Sequence, residues 1–118
     1  NIGGARALRE YLDEFVSLPI TMIFGAMKDK EVSEIAESLF PKAENIILTQ
    51  PDNSRAMAAE EIAAATKGLI DPERCFLSEN VSDALSKADE IAGHESIILI
   101  TGSLYLVGEA KRILKSQI

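Results

Sequence analysis

The stretch Ile97-Ile98-Leu99-Ile100 decides the fold class of this chain, and Thr101-Gly102-Ser103 follows it directly. An uninterrupted run of branched apolar residues, without alternating polar ones, is typical of a strand that is buried on both faces of a parallel sheet. A helical stripe of apolar residues follows over residues 106–114. Because parallel strands are joined by crossover connections, usually helices, this pairing predicts an α/β fold.

The same pattern occurs three more times upstream. We predict strands over residues 20–24, 45–49 and 75–77, each followed by a helix whose apolar residues recur every three or four positions. The predicted helix faces carry Val32, Ile35, Ala36 and Leu39, then Ala58, Ile62, Ala65 and Leu69, and then Val81, Ala84, Leu85 and Ala88, with Asn80 as an N-cap. The alternation predicts an open α/β sandwich with a mostly parallel sheet.

A further helix opens the chain. Apolar residues recur at helical spacing from Leu8 to Phe15, and Pro19 marks the end of this helix. Since a domain of this class normally begins with a strand, we expect an additional strand before residue 1. The chain reads as an excised piece of a larger protein.

The composition indicates one globular domain over residues 1–118, with 47% apolar and 26% charged residues. The net charge of −7 disfavours nucleic acid and anionic membranes as partners. Cys75 is the only cysteine and His94 the only histidine, so we predict no disulfide and no metal site. No secretory signal or membrane-spanning run is evident in the sequence, and we expect a cytoplasmic location.

Ligands of open parallel sheets bind beyond the carboxyl ends of the strands. In this region Thr101, Gly102 and Ser103 offer two hydroxyls and close backbone approach, which suits a carboxylate or a phosphate. The alternative, which the local sequence favours, is that Ser103 only caps the helix that starts near Leu104. The sequence leaves both open.

Cationic residues follow the first two strands of the chain. Lys28 and Lys30 flank Asp29, a composition suited to phosphates or an acidic substrate at a domain interface. The alternative is a turn in which Asp29 caps a helix starting at Lys30, with both lysines in solvent. Arg55 either clamps a carboxylate or is a surface residue near a helix start.

Several catalytic motifs are absent from the sequence. It contains no P-loop, no Gly-x-Gly-x-x-Gly fingerprint and no Gly-x-Ser-x-Gly nucleophile elbow. We therefore assign no catalytic residue, and we expect that the chain alone does not turn over ATP.

Four blocks of sequence resemble, in order, the carboxy-terminal domain of folylpolyglutamate and dihydrofolate synthases, which belong to the Mur ligase superfamily. They read NIGGARAL at 1–8, FGAMKDKE at 24–31, LTQPDNSRA at 48–56 and TGSLYLVGE at 101–109. The resemblance implies a Rossmann-like three-layer sandwich that packs against a larger P-loop ATPase domain. It also implies that the parent activates the terminal carboxylate of a folate with Mg-ATP and joins L-glutamate to it.

The resemblance also suggests roles for residues of this chain. Thr101, Gly102 and Ser103 would help to bind glutamate, Asn1 would lie near the nucleotide, and the segment Lys28-Asp29-Lys30 and Arg55 would face the interdomain cleft. ATP and Mg²⁺ would be cofactors of the full-length enzyme, with none bound strongly by this domain. The sequence departs from the family pattern at Ile2, where proline is usual, and at Gln50 and Ser54, where arginine and proline are common and which precede Arg55.

Three other functions are weighed against this one. A dihydrofolate synthase, which uses dihydropteroate, or a bifunctional enzyme would carry the same domain. A response-regulator receiver needs an acidic pair after its first strand and an aspartate after its third, where this chain has Gly25-Ala26-Met27 and Ser78-Glu79-Asn80. A stand-alone nucleotide-binding module is the remaining alternative.

Overall fold

The computed structural model describes residues 1–28 and 30–117 and shows strands alternating with helices. The helices are α1 (Ile2–Phe15), α2 (Val32–Leu39), α3 (Ala59–Ala65), α4 (Val81–Ile91) and α5 (Leu104–Lys115), and short 3₁₀ turns cover Phe40–Lys42 and Pro72–Arg74. The strands are β1 (Ile20–Phe24), β2 (Asn45–Leu48), β3 (Cys75–Leu77) and β4 (Ile97–Thr101). The predicted α/β class is confirmed.

Within the described residues, the strands form one parallel sheet in the order β3-β2-β1-β4. At the carboxyl edge, Phe24 of β1 lies opposite Leu48 of β2 on one side and Thr101 of β4 on the other. The chain thus extends the sheet from β1 in one direction and then returns to the opposite side of β1. This reversal places a topological switch point between β1 and β4, where open α/β sheets form their ligand crevice.

Helices cover both faces of the sheet and make the predicted three layers. On one face, Ile20, Met22 and Phe24 of β1 pack in a core shared with α1, α2 and α3. On the other face, Ile23 packs in a second core with residues of α4 and α5. Because side chains of a strand alternate between faces, a strand that serves both cores is buried on both sides, and β1 is buried along its whole length.

β4 differs from the prediction that both of its faces are buried. The strand forms where its apolar run predicts, but it lies at an edge of the sheet, and Ile98 is 38% exposed. An apolar run indicates a buried strand but does not show whether that strand lies inside the sheet or at its edge. β1 lies inside the sheet, because β2 pairs with it on one side and β4 on the other.

Two predicted helix boundaries also change. The helix following β1 begins at Val32 rather than Lys30, with Glu31 at its N-cap position, and the predicted cap Asp29 lies outside the described residues. Helix α3 ends at Ala65, so Leu69 is not part of it. The Thr66 hydroxyl bonds to the carbonyl of Ile62, and Gly68 adopts a positive φ of 89°, which ends the helical path before Leu69.

Candidate functional site

A cavity of about 510 Å³ lies at the switch point, beyond the carboxyl ends of β1 and β4. The start of α1 and part of α2 form one side of it, and the β4–α5 connection forms another. Its lining includes Asn1, Gly4, Ala5, Leu8, Met27, Lys30, Ile35, Leu39, Thr101, Gly102, Ser103, Leu104, Tyr105 and Val107. The cavity joins segments from residues 1–8, 27–39 and 101–107 of the chain.

Five residues singled out from the sequence line this one cavity, namely Asn1, Lys30, Thr101, Gly102 and Ser103. No carboxylate belongs to its lining in the part of the chain that the structure describes. The lining therefore combines one ammonium group, hydroxyls and backbone amides with a largely apolar wall. Such a set suits a small ligand that carries a negative charge.

Gly102 allows the two strand ends to meet closely. Its φ is 108°, and a Cβ atom at this position would lie 2.1 Å from the carbonyl oxygen of Gly25 and 3.0 Å from the Phe24 ring. Next to it, the Gly25 amide donates a hydrogen bond of 3.3 Å to the Thr101 carbonyl. Only glycine fits here, because any side chain would push β1 and β4 apart at the cavity floor.

Ser103 is the N-cap of α5, as the local sequence favours. Its Oγ accepts hydrogen bonds from the amides of Tyr105 at 3.2 Å and Leu106 at 3.4 Å, and the residue is 8% exposed. A hydroxyl that accepts from helix amides still has its own proton to donate. Capping and ligand binding are therefore compatible functions of this side chain.

Asn1 caps α1 in the same way at the opposite side of the cavity. Its Oδ1 accepts from the Gly4 amide at 2.7 Å, and its carbonyl accepts from the Ala5 amide at 3.0 Å. The side-chain oxygen is thus used by the helix, and its NH₂ group is the part suited to a ligand.

The cationic residues separate into two places. All three are exposed, but Lys30 lines the cavity, whereas Lys28 and Arg55 lie outside its lining. Lys28 and Arg55 are neighbours, since the Lys28 amide donates to the Arg55 carbonyl at 2.9 Å and Met27 forms a β-bridge with Ala56. Because Met27 belongs to the cavity wall, the backbone of Lys28 and Arg55 lies next to this wall, and we call this place the rim of the cavity.

A second, more open cavity of about 810 Å³ lies beyond β2 and β3. It is lined by residues 50–54 together with Glu79, Asn80, Ser82, Asp83 and Glu109. The carboxylates in this lining would repel an anionic ligand, whereas the described lining of the first cavity contains no carboxylate. In residues 1–28 and 30–117 no three His, Cys, Asp or Glu side chains are placed to hold a metal ion.

Other features of the described chain bear on its chemistry. Burial raises the pKa of the lone thiol, Cys75, so it is a poor nucleophile. No helix in the described ranges has both the length and the apolar character that a membrane crossing requires. Tyr105 and Leu104 line the first cavity while remaining 58% and 89% exposed, a feature that the sequence pattern did not single out.

A family model described as Mur ligase, glutamate ligase domain, matches residues 1–104. The chain belongs to the Mur ligase family. The match covers β1 to β4 and the Thr101-Gly102-Ser103 segment, and it confirms the family that the four sequence blocks indicated.

Relatives of this Mur ligase domain are folate enzymes. A probable bifunctional folylpolyglutamate synthase/dihydropteroate synthase of Haloferax volcanii is 31% identical over 85% of this chain. Folylpolyglutamate synthase of Mycobacterium tuberculosis, solved with ADP, has a TM-score of 0.85 and 28% identity over 96% of this chain. A bifunctional folylpolyglutamate synthase/dihydrofolate synthase solved with Mn, AMPPNP and L-glutamate has a TM-score of 0.84 over 98% of this chain and, at 17% identity, shows the shared fold.

The Mur ligase domain spans only part of each of these relatives. It covers 12% of the Haloferax protein, 28% of the Mycobacterium chain and 27% of the chain solved with L-glutamate. The remainder of those proteins has no counterpart in the present chain.

Proposed function

We propose that residues 1–118 are a single domain, the carboxy-terminal glutamate ligase domain of an ATP-dependent folylpolyglutamate synthase. The parent enzyme joins L-glutamate to the terminal carboxylate of a folate. The observation that carries this proposal is the cavity at the switch point, whose lining includes Lys30 together with Thr101, Gly102 and Ser103. Family membership and the folate enzymes among the relatives support the same reading.

The cavity suits the incoming glutamate. Lys30 and the hydroxyls of Thr101 and Ser103 would hold a carboxylate of glutamate, while the apolar wall would contact its methylene groups. Asn1 and the rim cations Lys28 and Arg55 would face the nucleotide and the interdomain cleft, with Asp29 between the two lysines. We assign no catalytic residue to this domain.

The proposed reaction proceeds by activation of the acceptor and attack by the amine. The terminal carboxylate of the folate becomes an acyl phosphate, and the amino group of glutamate then forms the amide bond as phosphate leaves. This domain would contribute by positioning the nucleophile, which lowers the entropic part of the barrier. Bound ATP and Mg²⁺ would supply the phosphoryl group and the electrostatic stabilisation of its transfer.

The described residues of this chain suit the phosphates of the nucleotide but not the metal ion. Lys28 and Arg55 at the cavity rim suit phosphate oxygens. The described residues offer no metal-holding group of carboxylates, so we place the Mg²⁺ ligands in the rest of the parent enzyme. The net charge of −7 and the single cysteine fit an enzyme of the cytoplasm that binds neither nucleic acid nor membranes.

A second candidate function is dihydrofolate synthesis, alone or in a bifunctional enzyme. It is favoured by the Bacillus subtilis relative that carries both synthase names and is 28% identical over 98% of this chain. The two activities differ in the acceptor, and the present cavity is proposed to bind glutamate, which both reactions use.

Incorporation of labelled glutamate by the full-length parent with Mg-ATP tests the proposal, with tetrahydrofolate and dihydropteroate offered separately. Incorporation with tetrahydrofolate supports polyglutamylation, and incorporation with both supports a bifunctional synthase. Lys30→Met should raise the KM for glutamate, whereas the matched variant Lys67→Met, outside both cavities, should not. Incorporation with neither acceptor would reject the folate assignment.

A further inference from the structure

A network of side-chain hydrogen bonds holds the loop that carries Arg55, defined here as residues 49–58 and called the Arg55 loop. The loop leaves β2 and ends at the start of α3. Its backbone pairs with the segment after β1, since the Met57 amide donates to the Ala26 carbonyl at 2.8 Å and the Arg55 carbonyl accepts from Lys28. These bonds fix one side of the loop. Its tip, residues 51–54, is joined to that side by hydrogen bonds from the Arg55 amide to Asn53 Oδ1 at 2.9 Å and from the Ala56 amide to the Asn53 carbonyl at 3.0 Å, and other elements hold it from outside.

Glu109 of α5 holds the tip. Its Oε1 accepts a hydrogen bond of 2.7 Å from the Asp52 amide, 57 positions earlier in the sequence. Glu109 is half-buried, and a bond from a carboxylate to an amide is stronger than one between neutral groups. The bond connects the loop to the helix whose first turn lines the cavity.

Gln50 holds the base of the loop on its other side. Its Nε2 donates to the Glu79 carbonyl at 2.8 Å, and its Oε1 accepts from the Ala59 amide at 2.7 Å. The primary amide supplies both a donor and an acceptor, whereas a glutamate carboxylate only accepts and an arginine guanidinium only donates, so neither could make both bonds. Gln50 thereby joins the start of α3 to the segment that precedes α4.

Close packing under the loop leaves little freedom for a different path. A Cβ atom at Gly25 would lie 3.0 Å from the Thr49 carbonyl and 3.1 Å from the Leu106 side chain of α5. Pro51 is buried. The Arg55 loop, the end of β1 and helix α5 therefore form one packed unit beside the cavity.

We propose that Glu109, assisted by Gln50, is a positioning residue that sets the place of Arg55 at the rim of the glutamate cavity. Glu109 lies outside the lining of the first cavity and would act through the Asp52 amide. The proposal rests on the proposed function for its catalytic consequence, whereas the fixed loop itself is a structural property. The two parts are measured separately.

Hydrogen exchange of residues 49–58 in the full-length parent measures the fixed loop. Glu109→Met removes the acceptor at similar size, and Glu109→Gln keeps an oxygen for the Asp52 amide. Exchange in the loop should be faster in Glu109→Met than in the natural protein and close to normal in Glu109→Gln. Unchanged exchange in Glu109→Met would overturn the proposal, whatever reaction the enzyme catalyses.

A double-mutant cycle in kcat/KM for glutamate measures the consequence for Arg55. Glu109→Met should lower kcat/KM about tenfold, the scale of one hydrogen bond to a charged group, and should have little further effect in an Arg55→Ala background. The control Glu90→Gln, which alters an exposed pair with Lys87, should leave kcat/KM unchanged. Additive losses would overturn positioning through Arg55.

A parent enzyme that incorporates no glutamate would reject the proposed function, and the exchange measurement would still accept or reject the fixed loop. Gln50→Glu provides a second variant, since it replaces the donor to the Glu79 carbonyl with an acceptor. It should speed exchange of the same loop. Normal exchange in this variant would remove Gln50 from the proposal.

Discussion

Ser103 both caps helix α5 and lines the cavity, and variants can separate its contribution to stability from its contribution to ligand binding. Ser103→Ala removes the acceptor for the Tyr105 and Leu106 amides and should cost about 1 kcal/mol of unfolding free energy, as loss of an N-cap does. In the full-length enzyme it should also raise the KM for glutamate more than the KM for ATP, because its hydroxyl is proposed to bind the glutamate carboxylate.

Asn80→Ala is the matched control for this prediction. Asn80 caps α4 by accepting from the Asp83 amide at 2.8 Å and lies outside the first cavity. The variant should lose similar stability without changing the KM for glutamate. A larger rise in the KM for ATP than for glutamate in Ser103→Ala would place Ser103 outside the glutamate pocket.

A comparison of variants at Gly102 and Gly68 distinguishes the stability cost of backbone strain from that of steric overlap. Both have positive φ, but a Cβ atom at Gly68 has nothing within 4 Å, whereas one at Gly102 meets the Gly25 carbonyl at 2.1 Å. Gly68→Ala should therefore cost about 1–2 kcal/mol from strain alone, and Gly102→Ala should cost clearly more. Urea unfolding midpoints of the two variants test this, and equal losses would contradict the overlap at the cavity floor.

At the scale of elements, α1 is tied to the turn that follows α2, and other residues of both helices line the first cavity. Asp13 of α1 bonds to Lys42 at 2.9 Å and to Arg9 at 3.1 Å, and Arg9 also donates to the Ser38 carbonyl. The hydrogen bond from Lys42 has the largest effect and lowers the pKa of Asp13. Desolvation opposes it, and the contacts with Arg9 lower the pKa further, so that it stays below its usual value.

The pH dependence of stability follows from this lowered pKa. Because the folded state favours the ionised carboxylate, the contribution of Asp13 is fully present above its unfolded pKa, about 4. It is lost as the pH falls through the lower folded-state value. Asp13→Asn should therefore lower the melting temperature at neutral pH, by a small amount since the pair is exposed, and the difference should vanish in acid. A difference that persists at pH values below both pKa values would contradict this assignment.

For the molecule as a whole, the absence of a phosphate-binding loop from the sequence leads to a clear expectation. The 118-residue chain alone should unfold cooperatively, as an independently folded domain does, and should not incorporate glutamate with Mg-ATP and a folate. Circular dichroism during thermal unfolding and labelled glutamate provide the two measurements. ATP-dependent glutamylation by the chain alone would contradict the proposal that the phosphate-binding groups lie in the rest of the parent enzyme.

The sequence alone was sufficient for the strands, the parallel α/β class and the family, because these depend on local periodicity and on short blocks of residues. Strand β1 and the N-caps Asn80 and Ser103 form where their patterns predict. The tertiary structure decided the sheet order, which puts β4 rather than β1 at the edge, and the separation of Lys30 from Lys28. It also decided the contact of Glu109 with Asp52. These features depend on long-range packing of segments that are far apart in the chain, and such contacts leave no periodic signal in the sequence.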